Sequence, residues 1–209
     1  MTIQVLYFKD NYRTFKRGDI ISFFNGVTLL VGDQGCGKSS ILQCIAALGG
    51  CEKPFWKKDR TADIKKVAML VVDKPAPVFA HDYENDPPRT APTLDTMGSI
   101  PLALGISQMR MSHGQATNTL TPLIAKMKDA YIILDEPDSG MSCRSALALA
   151  EAFKEASANG CQVIAAVHHP WLIEAFDRVY SVEHKDFMKS SDFLASMREP
   201  LQAIPDKNG

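Results

Sequence analysis

The chain has 209 residues, 45% of them hydrophobic and 22% charged, with a net charge of −1. That is enough for one domain with a real core, and the balance is ordinary for a soluble globular protein. A charge near zero gives no electrostatic argument for nucleic acid or a membrane surface, and no apolar run approaches the roughly 18 residues of a membrane helix. The first residues lack the positive-then-apolar order of a secretory signal. Five cysteines, none in a C-x-x-C pair, argue against a disulfide framework or a cysteine-held metal and fit a reducing cytoplasm.

In chain order, Ile3 to Phe8 reads as a strand. A polar, basic and aromatic stretch follows (KDNYRTFKR), then a short strand over Asp19 to Phe24 and an Asn25-Gly26 turn. Val27 to Val31 is a buried strand, and a helical pattern starts at Ser39 with Ile41, Leu42, Ile45 and Ala46. Gly49 to Lys66 is irregular and basic, a solvated loop or, through Trp56 among lysines, a contact for nucleic acid or a partner. Val67 to Val72 reads as a buried strand and Pro77 to Ala80 as another. HDYENDPPRT is loop, and Met97 to Met111 a short helical segment broken by Pro101 and Gly105. A helix follows over Ser112 to Lys128, then a buried strand over Tyr131 to Leu134. Ser142 caps an amphipathic helix reaching Ser157, which Asn159-Gly160 ends. Gln162 to Val167 is buried strand, Trp171 opens a short helix, and Val179 to Val182 is the last strand before a polar tail with a weak helix over Asp192 to Met197. Strands alternating with helices predict an α/β fold with a mainly parallel, doubly wound sheet and a small β element at the N-terminus.

One stretch carries recognisable chemistry. GDQGCGKSS fits the phosphate loop G-x-x-x-x-G-K-[ST] and sits between a strand and a helix, as that motif requires. Backbone N–H groups and the helix dipole converge there on a phosphate. Gly32, Asp33, Gln34, Gly35, Cys36, Gly37, Lys38, Ser39 and Ser40 are the candidate ATP-binding residues. Lys38 reaches the β- and γ-phosphates and the Ser39 hydroxyl ligates Mg²⁺. Cys36 is a small loop filler or a redox-sensitive thiol. Upstream, Tyr12 or Phe15 either stacks on adenine or packs the β element.

YIILDEP places Asp135 near Mg²⁺, through a water, and Glu136 where it takes a proton from the water attacking the γ-phosphate. Asp82 and Glu84, just after the Pro77–Ala80 strand, are solvated loop carboxylates or site residues, with Asp82 a candidate further metal ligand. His168, at the end of VIAAV, is placed to hydrogen-bond a γ-phosphate oxygen, whereas His169 faces elsewhere.

MSHGQ at Met111 to Gln115 resembles the LSGGQ signature of the ATP-binding-cassette (ABC) ATPases, with Ser112, Gly114 and Gln115 matching and His113 departing. Twenty positions separate Gln115 from Asp135, which is similar to the family's signature helix plus acidic strand. DSGMS resembles the family's D-loop, with Ser142 in place of its aspartate, and His168 matches the switch histidine. Asp82 and Glu84 occupy the region of the family's Q-loop glutamine. The resemblance implies a P-loop NTPase of ABC type over the whole of residues 1–209, with a small antiparallel β element, a reduced helical subdomain inserted at about 85–128 and a tail from about 190. It also implies a head-to-tail homodimer sandwiching two Mg·ATP, with Ser112 and the N–H groups at the start of its helix acting in trans on the partner's γ-phosphate, and adds Ser112, Gly114 and Gln115 to the candidate ATP-binding residues.

Ser112 follows Lys38 by 74 positions, short beside transporter subunits and far too short for the arms of SMC proteins. The chain looks closest to compact, stand-alone AAA-family ATPases related to the SMC, RecF and OLD groups. That implies an ATP-driven switch acting on DNA or on a nuclease or effector, in DNA repair, phage biology or defence. The alternative is the soluble ATP-hydrolysing subunit of a membrane transporter.

Overall fold

The computed structural model describes residues 2–51, 59–82 and 113–197. A six-stranded sheet holds β3 (Val27–Val31), β5 (Val78–Asp82), β6 (Tyr131–Asp135), β7 (Gln162–Ala166), β8 (Arg178–Ser181) and β9 (Asp186–Lys189) in the order β5-β6-β7-β3-β8-β9. All neighbours in it are parallel except the β8–β9 hairpin. A second, antiparallel sheet has the order β2-β1-β4, with β1 Ile3–Phe8, β2 Ile20–Ser22 and β4 Ala68–Val72. The helices are α1 (Lys38–Leu48), α2 (Asp59–Val67), α3 (His113–Lys126), α4 (Cys143–Ala158), α5 (Pro170–Glu174) and α6 (Ser190–Ser196).

The middle strands are apolar without alternation because both of their faces are covered. Ile132 and Leu134 of β6, with Val163 and Ala165 of β7, pack towards α3 and α4 through Leu120, Ile124, Leu149 and Phe153. Ile133, Ile164 and Ala166 point the other way, into a core shared with Ile41, Leu42 and Ile45 of α1 and with Leu6, Phe8 and Ile21 of the small sheet. α1 therefore lies between two sheets and is buried on nearly every side. Burying each of its aliphatic side chains contributes roughly 1.5–3 kcal/mol.

The sheets are also joined by Gln162, fully buried at the start of β7. Its Oε1 accepts from the Ile3 N–H (2.6 Å), and its Nε2 donates to the carbonyls of Ile3 (3.1 Å) and Phe24 (2.9 Å). Every polar atom of that side chain is satisfied, as a buried amide requires.

Several sequence expectations need correction. The stretch expected to be irregular up to Lys66 contains α2 at its end. The VAMLVV run forms not a buried strand but the edge of the antiparallel sheet, with Met69, Val71 and Val72 exposed. An apolar run reports composition, and only the placement of its neighbours decides how many faces are covered. The strand from Pro77 runs on to Asp82, so Asp82 ends a strand instead of following one. Val179 to Val182 is not the last strand: β9 pairs back on β8 through the turn at Glu183 to Lys185, a short polar segment without a clear alternation. The N-cap role of Ser142 holds, its Oγ accepting from the Ser145 N–H at 3.2 Å. The Met97–Met111 segment and Trp56 lie outside the described residues. Among those described, no helix is long and apolar enough to cross a membrane.

Candidate functional site

The site forms where β3, β6 and β7 end side by side. β3 leads into the loop Gly32 to Gly37, and α1 begins at Lys38. The loop needs its glycines. Gly37 has φ +116°, and a Cβ there would lie 2.5 Å from Thr14 Oγ1 and 2.9 Å from Phe15 Cε2. No side chain caps the N-terminus of α1 and no acidic residue stands in its first turn, so its leading N–H groups are left to an anion. Lys38 is buried, and its Nζ donates to the carbonyls of Gly32 (2.8 Å) and Asp33 (2.9 Å). The ammonium is thereby held over the loop.

The segment before the loop supports it from below. Arg13 donates to Ser40 Oγ at 2.8 Å, and Thr14 Oγ1 donates to the Cys36 carbonyl at 3.2 Å. Phe15 is core: it is buried and its ring stacks on Phe8 at 4.5 Å. Tyr12 is half-buried, 6.4 Å from Phe8, with the Arg13 guanidinium 5.5 Å from its ring centroid. Cys36 is half-buried with its thiol pushed up, chiefly by burial. It fills space against Gly32, where a Cβ would meet its Sγ at 2.9 Å.

At the end of β6, Asp135 is buried. Burial, aided by the neighbouring Asp82 and Glu136, raises its carboxyl to about 7, against the lowering effect of the Ser39 hydroxyl and Lys38. Its Oδ1 is buried without a hydrogen-bond partner. Asp82 stands opposite Asp135 in the β5–β6 register and is also buried. An orphaned acidic oxygen beside a serine hydroxyl fits a hard cation such as Mg²⁺. Among the described residues, no group of three or more His, Cys, Asp or Glu side chains could hold a metal. A cation here would need further oxygens from its own phosphate ligand or from water.

Glu136 has φ +51°, a left-handed conformation costing roughly 1–2 kcal/mol for a residue with a side chain. Its N–H donates to the Ala166 carbonyl at 3.0 Å, so the backbone turns sharply just past the ladder. That turn brings Glu136 Oε1 within 3.3 Å of His168 Nε2, with both side chains partly open to solvent. Glu136 and His168 line a cleft of about 550 Å³ together with Gly32, Asp33 and Gln34, opposite Phe193 and Met197 of the α6 end. A larger cavity of about 860 Å³, beside α6 and β9, contains none of the motif residues.

Lys38, Ser39, Asp135, Glu136 and His168 are thus brought together, with Asp82 alongside. Gly114 and Gln115 fall in the first turns of α3. Ser112 and Glu84 lie outside the described residues. Two residues at the site are not among the candidates the sequence offers. Glu183, in the β8–β9 turn, accepts the Asp33 N–H at 3.0 Å. Asp138, buried in the turn after Glu136, accepts the N–H groups of both His168 (2.7 Å) and His169 (2.6 Å) through Oδ2. Only its place next to an acidic strand end, in the DSGMS segment, hinted at it.

Residues 10–80 match the family model described as an AAA domain. No curated protein matches the chain. Among solved structures, a nucleotide-free ATP-binding cassette from an ABC transporter is similar at 14% identity, covering 93% of this chain and 96% of that one, with a TM-score of 0.55. The ADP conformation of another ABC transporter cassette is similar at 15% identity, with coverages of 93% and 96% and a TM-score of 0.53. The cbiO1 protein of Clostridium perfringens, part of the ABC transporter complex cbiONQ, is similar at 13% identity, with coverages of 94% and 92% and a TM-score of 0.51. The fold is that of the ABC-type P-loop ATPases.

Proposed function

We propose that the chain is a Mg-dependent, ABC-type ATPase that works as a cytoplasmic switch on DNA or on a nuclease or effector partner. The observation that supports hydrolysis is the Glu136–His168 pair in a cleft lined by the phosphate-loop residues Gly32, Asp33 and Gln34, with the Ser39–Asp135 pair and Lys38 next to it in the loop and at the end of β6. The loop N–H groups and Lys38 bind the phosphates. Ser39 and Asp135 would hold Mg²⁺, with Asp82 near enough in register to assist. When bound there, it would supply positive charge against the phosphates. Glu136 takes the proton of the attacking water, and His168 orients Glu136 and donates to a γ-phosphate oxygen.

On this reading the γ-phosphate site is shared between two copies. Ser112, Gly114 and Gln115 of a second copy would complete it, so that ATP closes a head-to-tail homodimer and hydrolysis opens it. The stretch at about 85–128 is then the reduced helical subdomain that carries this signature. Tyr12 is the candidate for the adenine side.

The test is phosphate release from ATP with and without Mg²⁺, then with Glu136→Gln. A variant that binds ATP and turns over as fast as wild type would refute Glu136 as the base. Dimerisation is checked by light scattering with ATP, where Lys38→Ala should remain a monomer. Turnover and gel shifts with DNA separate a DNA client from a protein one. The second reading, a transporter's ATP-hydrolysing subunit, is favoured by the transporter cassettes among the similar structures. The short stretch between Lys38 and Ser112 speaks against it, since membrane coupling helices dock there.

A further inference from the structure

We propose that Asp138 is a positioning residue for hydrolysis, holding His168 against Glu136 by gripping the backbone behind it. The inference rests on the reading that Glu136 and His168 act on ATP. Beyond β7 the regular ladder runs out: the Val167 N–H still donates to the Leu30 carbonyl at 3.1 Å, and the next two N–H groups have no strand to face. Both turn to one atom, Asp138 Oδ2, at 2.7 and 2.6 Å. These are short, charge-assisted bonds.

The same turn carries Glu136. The Ser139 N–H donates to the Glu136 carbonyl and the Met141 N–H to the Asp138 carbonyl, both at 3.1 Å. Asp138 therefore joins the end of β6 to the end of β7 one step past their last ladder bond, Glu136 N–H to Ala166. The two side chains that meet across that gap, Glu136 and His168, are partly exposed and 3.3 Å apart. A partly exposed pair contributes little by itself, so its geometry must be imposed from the backbone. Simple capping of α5 is a weaker account. That helix has five residues, and Pro170 at its start has no N–H to cap. A neutral oxygen could accept the same two N–H groups without burying a charge, which is costly. A carboxylate at 4% exposure suits a rigid clamp.

The experiment compares phosphate release by wild type, Asp138→Ala, Asp138→Asn, His168→Ala and the Asp138→Ala/His168→Ala double variant. Asp138→Ala should lower kcat about tenfold or more while KM for ATP stays within about twofold, because the phosphate loop is untouched. Asp138→Asn should recover most of the loss, since its amide oxygen can accept both N–H groups. In the His168→Ala background, Asp138→Ala should cost nothing further, the signature of one residue acting through another. Additive losses, or an unchanged kcat in Asp138→Ala, would overturn the proposal. Amide hydrogen exchange supplies a readout independent of turnover: the His168 and His169 N–H groups should exchange faster in Asp138→Ala and stay protected in Asp138→Asn. Equal exchange in Asp138→Ala and wild type would also overturn it. A wild type with protected amides and no turnover would instead refute the hydrolysis reading, and the positioning role with it.

Discussion

β7 and β4 are both five-residue strands of mostly apolar sequence, and they end in opposite situations. β7 lies between β6 and β3, every residue buried, and its end delivers His168 to the cleft. β4 pairs only with β1, at a sheet edge, and exposes Met69, Val71 and Val72. Along the chain they look alike. What separates them is the number of covered faces, and that is set by elements far away in sequence. The central sheet is where substitutions should be costly, and the outer face of the small sheet is where they should pass nearly unnoticed.

The largest effect belongs to the cleft. Glu136→Gln should lower turnover by about 10²–10⁴-fold in a phosphate-release assay and leave ATP binding intact. Next comes the double-sided core: Ile133→Ala, truncating a fully buried side chain, should cost about 2–5 kcal/mol by urea titration. Gln162→Leu tests the join between the sheets. It strands the buried Ile3 N–H and should cost about 1–3 kcal/mol, with protection lost first in β1 if the two sheets can separate. Val71→Thr, on the open face of β4, should stay within about 0.5 kcal/mol of wild type. A loss as large as that of Ile133→Ala would erase the contrast between the strands.

The pH response sharpens the same contrast within β5 and β6. Asp135, raised to about 7 by burial, favours the folded state when protonated, so its contribution is lost as pH rises from the ordinary carboxylate range through about 7. His81, lowered to about 4 chiefly by burial, works the other way: its contribution is present above 6.5 and is lost as pH falls towards 4. In the ATP-free wild type the two oppose each other between about pH 4 and 6.5. Asp135→Asn removes one of them, so the melting temperature of that variant should rise with pH across this window. Mg²⁺ with ATP should stabilise wild type more at pH 8 than at pH 5.5, because a bound cation favours the ionised carboxylate.

The legible part of this molecule was the part governed by local rules. The glycine loop announced itself because its turn admits few other residues, and Asp135, Glu136 and His168 because each follows a run that must be a central strand. Phe15 could have served a ligand or the core, and only the packing of Phe8 decides for the core. Asp138 and Glu183 were not legible, since each acts on the backbone of a segment about 30 or 150 residues away. A hydrogen bond to a distant peptide N–H leaves no periodicity behind it. β9 was missed for a related reason: its four residues are held by pairing with β8 more than by any pattern of their own.

The placement of α1 has a thermodynamic consequence. Its first turn is the proposed anion site, and its flanks are a wall common to both sheets. The small sheet cannot peel away without unseating the helix that would carry the phosphates. Unfolding should therefore be a single transition by circular dichroism and by intrinsic fluorescence alike. Added ATP should shift it as a whole, by an amount that grows with the logarithm of ligand concentration.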